Sequence, residues 1–169
     1  MTDKIDDLNN GTPDIPDTRD TIDRAEIHQV LGAYYSAFNR MDKEGVLEAF
    51  TEDADFIDLS MGRSMKGRSE LAGFIDDTWS LSPYFRLEPE EVLIDGSNVA
   101  VRLFMSGAAK IDQSGVPKEG YLWRIPSTSF LRFRDGKIDW KADCWNALAI
   151  PKQIGWLKVL PSMIRSGLA

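Results

Sequence analysis

Hydrophobic residues recur at helical spacing in the first half of the chain. Asp20 and Thr21 are candidate N-caps of a first amphipathic helix, with the acidic Asp23 and Glu26 in its first turn. The apolar stripe that predicts this helix comprises Ile27, Leu31, Tyr34, Phe38 and Met41.

Two more helices and a short strand are predicted before Pro83. Asp42 is the candidate N-cap of a short helix. Residues 56–59 form an apolar run that predicts a strand, and residues 62–67 predict a turn or hairpin. Ser69 is the candidate N-cap of a third helix, whose apolar positions are Leu71, Phe74, Ile75, Thr78 and Trp79.

After Pro83 the hydrophobic period changes to two, which predicts strands. Residues 84–94 form the first of them, where Pro89 indicates a bulge or an edge position. Turns at 95–98 and 112–115 and a tight hairpin at 134–137 separate strands at 99–106, 121–133 and 138–147. Residues 151–164 predict a final amphipathic helix.

Helices followed by an antiparallel meander indicate an α+β fold, with the helices packed against one face of a curved sheet. Such an arrangement leaves a cavity between the helices and the sheet. We expect a single domain at residues 20–169 and a disordered acidic tail at residues 1–19. Val99, Val101 and Leu103 are assigned to the outer sheet face, which would be too apolar for a monomer and predicts a homodimer through the sheet.

Charge and composition narrow the classes of partner. The 169 residues carry a formal net charge of −7, which argues against nucleic acid and against an anionic membrane surface. No apolar run approaches the roughly 18 residues of a membrane span. The single cysteine, Cys144, excludes an internal disulfide and suits a cytoplasmic location.

The same composition provides few of the residues and motifs that bind cofactors. One histidine and one cysteine make no cluster for zinc, haem or iron–sulfur ligation, and no glycine-rich phosphate loop is present. We therefore expect no cofactor and no metal, so that any chemistry is done by the protein's own side chains.

Asp58 is the first candidate catalytic residue because it stands among Phe56, Ile57 and Leu59. Burying an unpaired carboxylate is costly and favours its protonated form, which suits a base acting near neutrality. The alternative is a structural aspartate at a strand end, held by turn amides before Ser60.

Asp143 is the second candidate, since its strand otherwise has a buried character. Its alternative is a salt bridge to Arg102 or Arg132. Tyr34 is the third candidate; it belongs to an apolar stripe, so it could equally be a core residue, and the adjacent Tyr35 competes for the same role.

Aromatic and polar residues around these three are the candidate substrate-binding set. The five tryptophans suit a flat, apolar or aromatic ligand. The set comprises Tyr35, Phe38, Phe56, Trp79, Phe85, Arg102, Phe104, Trp123, Ser127, Ser129 and Trp145.

Four motifs between residues 25 and 157 carry a family resemblance. They are Tyr34-x4-Asn39-x2-Asp42, Phe50-x2-Asp53-Ala54-x3-Asp58, Gly67-Arg68-x-Glu70-Leu71 and Asp135-Gly136-Lys137-Ile138-x4-Asp143. The chain resembles the nuclear-transport-factor-2-like superfamily, the cone-shaped fold of ketosteroid isomerases, SnoaL-type polyketide cyclases, limonene epoxide hydrolases and scytalone dehydratases.

The resemblance implies roles for particular residues. On the ketosteroid isomerase pattern, Tyr34 is the hydrogen-bond donor, Asp58 shuttles the proton, and the second donor falls on Ser129, a weaker donor than the carboxylic acid of that family. On the SnoaL-like pattern, Asp143 is the acid/base, and Lys141 stands where histidine is frequent.

The activity these features predict is that of a cofactor-free lyase or isomerase acting on a small hydrophobic, aromatic or polycyclic molecule. Asp58, Tyr34 and Asp143 would move and stabilise protons and charge, with Arg102 or Lys141 orienting Asp143. One alternative is an epoxide hydrolase of the limonene type, although the strand around Arg102 lacks the acid of that family. Another is a non-catalytic small-molecule binder.

Overall fold

The computed structural model describes residues 23–82, 84–109 and 121–155. The predicted tail, the turn at 112–115 and most of the last predicted helix lie outside these residues. Helix α1 spans Arg24–Asn39, and Asp23, expected in its first turn, is its N-cap: the carboxylate accepts a hydrogen bond from Ala25 N at 3.0 Å.

Two helices flank the first strands. Helix α2 spans Lys43–Glu48, and the predicted N-cap Asp42 accepts from Gly45 N at 3.0 Å. Helix α3 spans Gly67–Leu81, so Ser69 lies inside it and is not its N-cap. Instead the chain turns at Gly67, where φ is +71°, and the Lys66 amide donates to Glu70 Oε2 at 2.9 Å.

Six strands form one sheet in the order β2-β1-β6-β5-β4-β3. Their bounds, with the short helix α4 that follows them, are β1 Phe50–Asp58, β2 Arg63–Lys66, β3 Arg86–Asp95, β4 Asn98–Ala108, β5 Leu122–Arg134, β6 Lys137–Trp145 and α4 Ala149–Gln153. Strand β1 pairs with β6 in parallel, whereas the other pairs are antiparallel. The sheet is therefore mixed, and the purely antiparallel expectation was wrong at this one pair.

The turn chemistry behaves as the sequence predicted. The hairpin between β5 and β6 has Asp135 and Gly136 at φ +52° and +72°, the two positive values that a type I′ turn requires. The β3 ladder shifts register between Pro89 and Glu91, and β3 is an edge strand, so both expectations from Pro89 are confirmed.

The inner face of the sheet packs on the helices and forms the core. Val99, Val101 and Leu103 are buried in this core, and Val101 has no exposed surface. Their assignment to the outer face was wrong. Strand alternation defines two faces but not which of them meets the helices, and the more apolar face was the one to be buried. The outer-facing residues of β4 are Ala100, Arg102, Phe104 and Ser106.

Candidate functional site

A cavity of about 370 Å³ lies between the helices and the inner sheet face. This volume is within the range of roughly 300–1,000 Å³ typical of small-molecule sites. Tyr34, Asp58 and Asp143 all line it, so the three residues that the sequence singled out do converge on one apolar space. Five predicted substrate-binding residues also line it: Phe38, Phe56, Phe85, Trp123 and Trp145.

The sheet register brings the polar groups together. Asp58 of β1 is paired with Asp143 of β6, and Asp143 is paired with Ser129 of β5. Adjacent strands lie about 4.8 Å apart, so the three side chains form one row across the sheet. The parallel pairing of β1 with β6 therefore creates the acidic part of the site.

Asp58 is buried, with 5% of its surface exposed, and its carboxylate is well satisfied. Oδ1 accepts hydrogen bonds from the amides of Ser60 at 3.0 Å and Met61 at 2.9 Å. Oδ2 accepts from Trp145 Nε1 at 3.3 Å. The alternative of a strand-end aspartate held by turn amides thus describes Oδ1 correctly, and the carboxylate is not unpaired.

Asp143 has a different arrangement, because both of its side-chain donors bind the same oxygen. Ser129 Oγ donates to Oδ1 at 2.5 Å, and Lys141 Nζ donates to Oδ1 as an ion pair. No described residue hydrogen-bonds Oδ2. Asp143 therefore presents one anchored oxygen and one oxygen available to a ligand.

The alternative interpretation of Asp143, a salt bridge to Arg102 or Arg132, was wrong. Arg102 lies on the outer face of the sheet and pairs with Glu90 and Glu91. Arg132 pairs with Asp139 at 2.7 Å. The buried cation beside Asp143 is Lys141.

Tyr34, rather than Tyr35, lines the cavity. Burial raises the pKa of the Tyr34 phenol well above its usual value, and the charge of Asp143 and then Tyr35 add to the effect. The phenol therefore stays protonated and can donate a hydrogen bond. The Tyr35 hydroxyl is buried without a partner among the described residues, and burial followed by Asp143 raises its pKa too.

Six predicted substrate-binding residues do not line the cavity. Phe104, like Arg102, faces outward, where the Arg124 guanidinium lies 3.5 Å from its ring centroid. Trp79 packs edge-on against Phe38, behind the cavity wall. Tyr35, Ser127 and Ser129 are buried but are likewise not among the lining residues.

Several lining residues were missed as site residues. Helix α3 contributes Leu71, Phe74, Ile75 and Thr78, a stripe that the sequence identified only as helical. The turn after β1 contributes Met61, and α4 contributes Ile150. Helical periodicity marks the buried face of a helix but does not distinguish core from cavity wall.

Comparison with known proteins identifies the family. The family of SnoaL-like domains matches residues 31–140, well over half of the chain, and the chain belongs to this family. The resemblance to the nuclear-transport-factor-2-like superfamily is confirmed. No curated protein sequence shows significant similarity to the chain.

Solved structures share the fold. IdmH, a proposed polyketide cyclase from Streptomyces antibioticus, has a TM-score of 0.66 at 23% identity, covering 76% of this chain and 97% of that one. A proposed polyketide cyclase from Xanthomonas campestris pv. campestris has a TM-score of 0.62 at 26% identity, covering 78% and 98%. A hypothetical protein with a ketosteroid isomerase-like fold from Catenulispora acidiphila DSM 44928, solved in complex with trimethylamine, has a TM-score of 0.66 at 20% identity, covering 75% and 92%.

None of the helices in the described residues has the length and apolar character needed to cross a membrane. Within the same residues, no group of three or more His, Cys, Asp or Glu side chains is arranged to hold a metal ion.

Proposed function

We propose that this chain is a cofactor-independent acid–base enzyme, a lyase or isomerase that moves a proton on a small hydrophobic molecule. The observation that carries the proposal is Asp143, a residue of the cavity wall whose Oδ1 is anchored by Ser129 and Lys141 while Oδ2 has no hydrogen-bond partner among the described residues. A carboxylate held by one oxygen is oriented, and its other oxygen can accept a proton from a bound substrate.

Tyr34 supplies the matching donor. Its phenol lines the same cavity and remains protonated because burial raises its pKa. When Asp143 removes a proton from a carbon next to a carbonyl, the C–H electron pair becomes an enolate. A phenol hydrogen bond stabilises that oxyanion in an apolar site.

Asp58 has a secondary role in this proposal. Its three donors already bind both oxygens, so Asp58 has no oxygen without a donor, unlike Asp143. We propose that Asp58 holds the Trp145 ring in the cavity wall and contributes a fixed negative charge. This order reverses the one that the sequence favoured.

The substrate class follows from the lining, which is almost wholly aromatic and aliphatic. A neutral ketone with a single ring or two fused rings suits the size of this cavity and its single proton acceptor, Asp143. Epoxide hydrolysis receives no support, because Arg102 faces away from the cavity and its inner neighbours on β4 are Val101 and Leu103.

Proton abstraction can be tested without the natural substrate. 2-Tetralone in D₂O exchanges its α-protons for deuterium, which NMR follows directly. The wild-type protein is expected to accelerate this exchange, and Asp143→Asn to reduce the acceleration by about 100-fold or more. Asp76→Asn is the matched control, since Asp76 pairs with Lys43 at the surface. Wild-type exchange no faster than the buffer would contradict the proposal.

We also propose a homodimer formed through the outer face of the sheet. The apolar residues that support it are not those first assigned to that face. Phe130 is 49% exposed and Leu93 is 62% exposed, and both flank Ala100 in neighbouring strands. Sedimentation of the wild type should show a dimer and that of Phe130→Glu a monomer; a wild-type monomer at micromolar concentration contradicts this.

A further inference from the structure

Lys141 is buried beneath the cavity floor, with 1% of its surface exposed, and it does not line the cavity. Its ammonium lies close to groups from three elements of the fold. Helix α1 contributes the Tyr34 ring, 5.8 Å away, and β1 contributes the Phe56 ring, 4.7 Å away. Strand β6 contributes the ion-paired Asp143, whose Oδ1 also accepts the Ser129 hydroxyl of β5.

Asp58 completes the charged neighbourhood. It is the strand neighbour of Asp143, and its charge acts on Lys141 together with that of Asp143. Two carboxylates that share an apolar site cannot both ionise easily, because each raises the proton affinity of the other. A cation that interacts with both carboxylates removes that conflict. Lys141 is the buried cation that the described structure provides there.

We infer that Lys141 is a positioning residue that keeps Asp58 and Asp143 ionised at the same time, and so makes Asp143 available as a base at neutral pH. The inference rests on the proposed proton-transfer function and deepens it. It assigns control over the ionisation of both carboxylates to a lysine that does not line the cavity.

The charge balance of the reaction agrees with this role. Before the transfer, two carboxylates and one ammonium give the site a net charge of −1. The substrate proton moves to Asp143 Oδ2, and the C–H electron pair remains on the substrate as an enolate. The negative charge has moved from Asp143 to the substrate, and the net charge is still −1.

The role also limits activity at high pH. Burial lowers the pKa of Lys141, while Asp143, its hydrogen bond and then Asp58 oppose the shift. Lys141 therefore loses its proton at a lower pH than a lysine in water does. Once the Lys141 amine is neutral, ionisation of one carboxylate again disfavours ionisation of the other. Asp143 is then less available as a base, so the rate of exchange falls.

The direct test is an NMR titration of protein labelled with ¹³C at the aspartate carboxyl carbons. In the wild type, Asp58 and Asp143 should both be ionised at neutral pH. In Lys141→Met, the titration of one of the two should move upward by roughly one pH unit or more. Lys137→Met, an exposed lysine on the same strand, is the matched control and should leave both titrations unchanged.

Each outcome of this test decides the inference without any substrate. An unchanged titration in Lys141→Met, or a wild-type protein in which one of the two carboxyls stays protonated at pH 7, overturns it. If Lys141→Met fails to fold, Lys141→Gln, which removes the same charge but keeps a polar side chain, is titrated in its place and should show the same upward movement. Because the readout is ionisation, correct titrations with no 2-tetralone exchange would reject the proposed function and leave the role of Lys141 standing.

Discussion

Asp143 lies beside Asp58 on parallel paired strands, yet the two carboxylates are held in different ways. Asp58 uses both oxygens for donors of the fold, whereas Asp143 places both of its donors on Oδ1. The difference distinguishes a carboxylate fixed by structure from one that can accept a proton.

The Ser129 hydrogen bond should matter to proton transfer. Ser129→Ala removes the 2.5 Å bond to Asp143 Oδ1, so the carboxylate loses orientation and one donor. We expect 2-tetralone exchange to fall several-fold and the free energy of unfolding to fall by about 1 kcal/mol. Ser127→Ala is the control, because Ser127 lies on the same strand face but donates to the Cys144 carbonyl. Equal effects of the two substitutions would contradict the role given to Ser129.

Substitutions of the two neighbouring tyrosines should have different effects on activity. Tyr34→Phe removes the donor that faces the cavity, and we expect kcat for exchange to fall by about 10²-fold with little change in KM. Tyr35→Phe removes a buried hydroxyl that has no partner among the described residues, so activity should persist and stability should be unchanged or higher. Steady-state kinetics and urea unfolding of both variants check this, and a Tyr35→Phe variant slower than Tyr34→Phe would reverse the assignment.

Alkaline stability depends on the same tyrosines. Their pKa values are raised on folding, so their contribution to stability is complete below the unfolded value of about 10 and is lost as pH rises above it. The lowered pKa of Lys141 acts in the opposite sense, since stability rises with pH as its burial penalty is relieved. Urea unfolding between pH 8 and 11 should show Tyr35→Phe losing less stability above pH 10 than the wild type does. An identical pH dependence would contradict this account.

The orientation of β4 can be tested by stability alone. Leu103→Ala opens a cavity at a buried core position and should cost about 2–5 kcal/mol of the free energy of unfolding. Phe104→Ala, the adjacent outward residue, should cost about 1 kcal/mol or less, because it removes mainly a surface contact with Arg124. Urea unfolding of the two variants gives the comparison; a larger cost at Phe104 would restore the original outer-face assignment of Leu103.

Much of this arrangement was predictable from local sequence chemistry. The Asp135-Gly136 hairpin, the cap at Asp42 and the bulge at Pro89 each follow from what single residues allow the backbone to do. The three candidate residues of the site were found because family motifs supplied a register that periodicity could not.

The features that the sequence did not predict depend on the pairing of strands that are distant in the chain. No local feature of the sequence of Phe50–Asp58 indicates that this strand will pair in parallel with β6. That pairing brings Asp58 next to Asp143. Lys141 was named as a possible orienter of Asp143, and its position two residues before Asp143 put both on one strand face. Its burial, and the absence of an ion pair between Asp143 and any arginine among the described residues, required coordinates.

One measurement tests the central claim most directly: the rate of 2-tetralone deuterium exchange in Asp143→Asn against that in Asp58→Asn, at equal protein concentration and neutral pH. If Asp143 is the proton acceptor, its variant should lose about 100-fold or more, while Asp58→Asn, which can still accept the Ser60 and Met61 amides, should keep a clearly measurable rate. Exchange that survives in Asp143→Asn and disappears in Asp58→Asn would contradict the account.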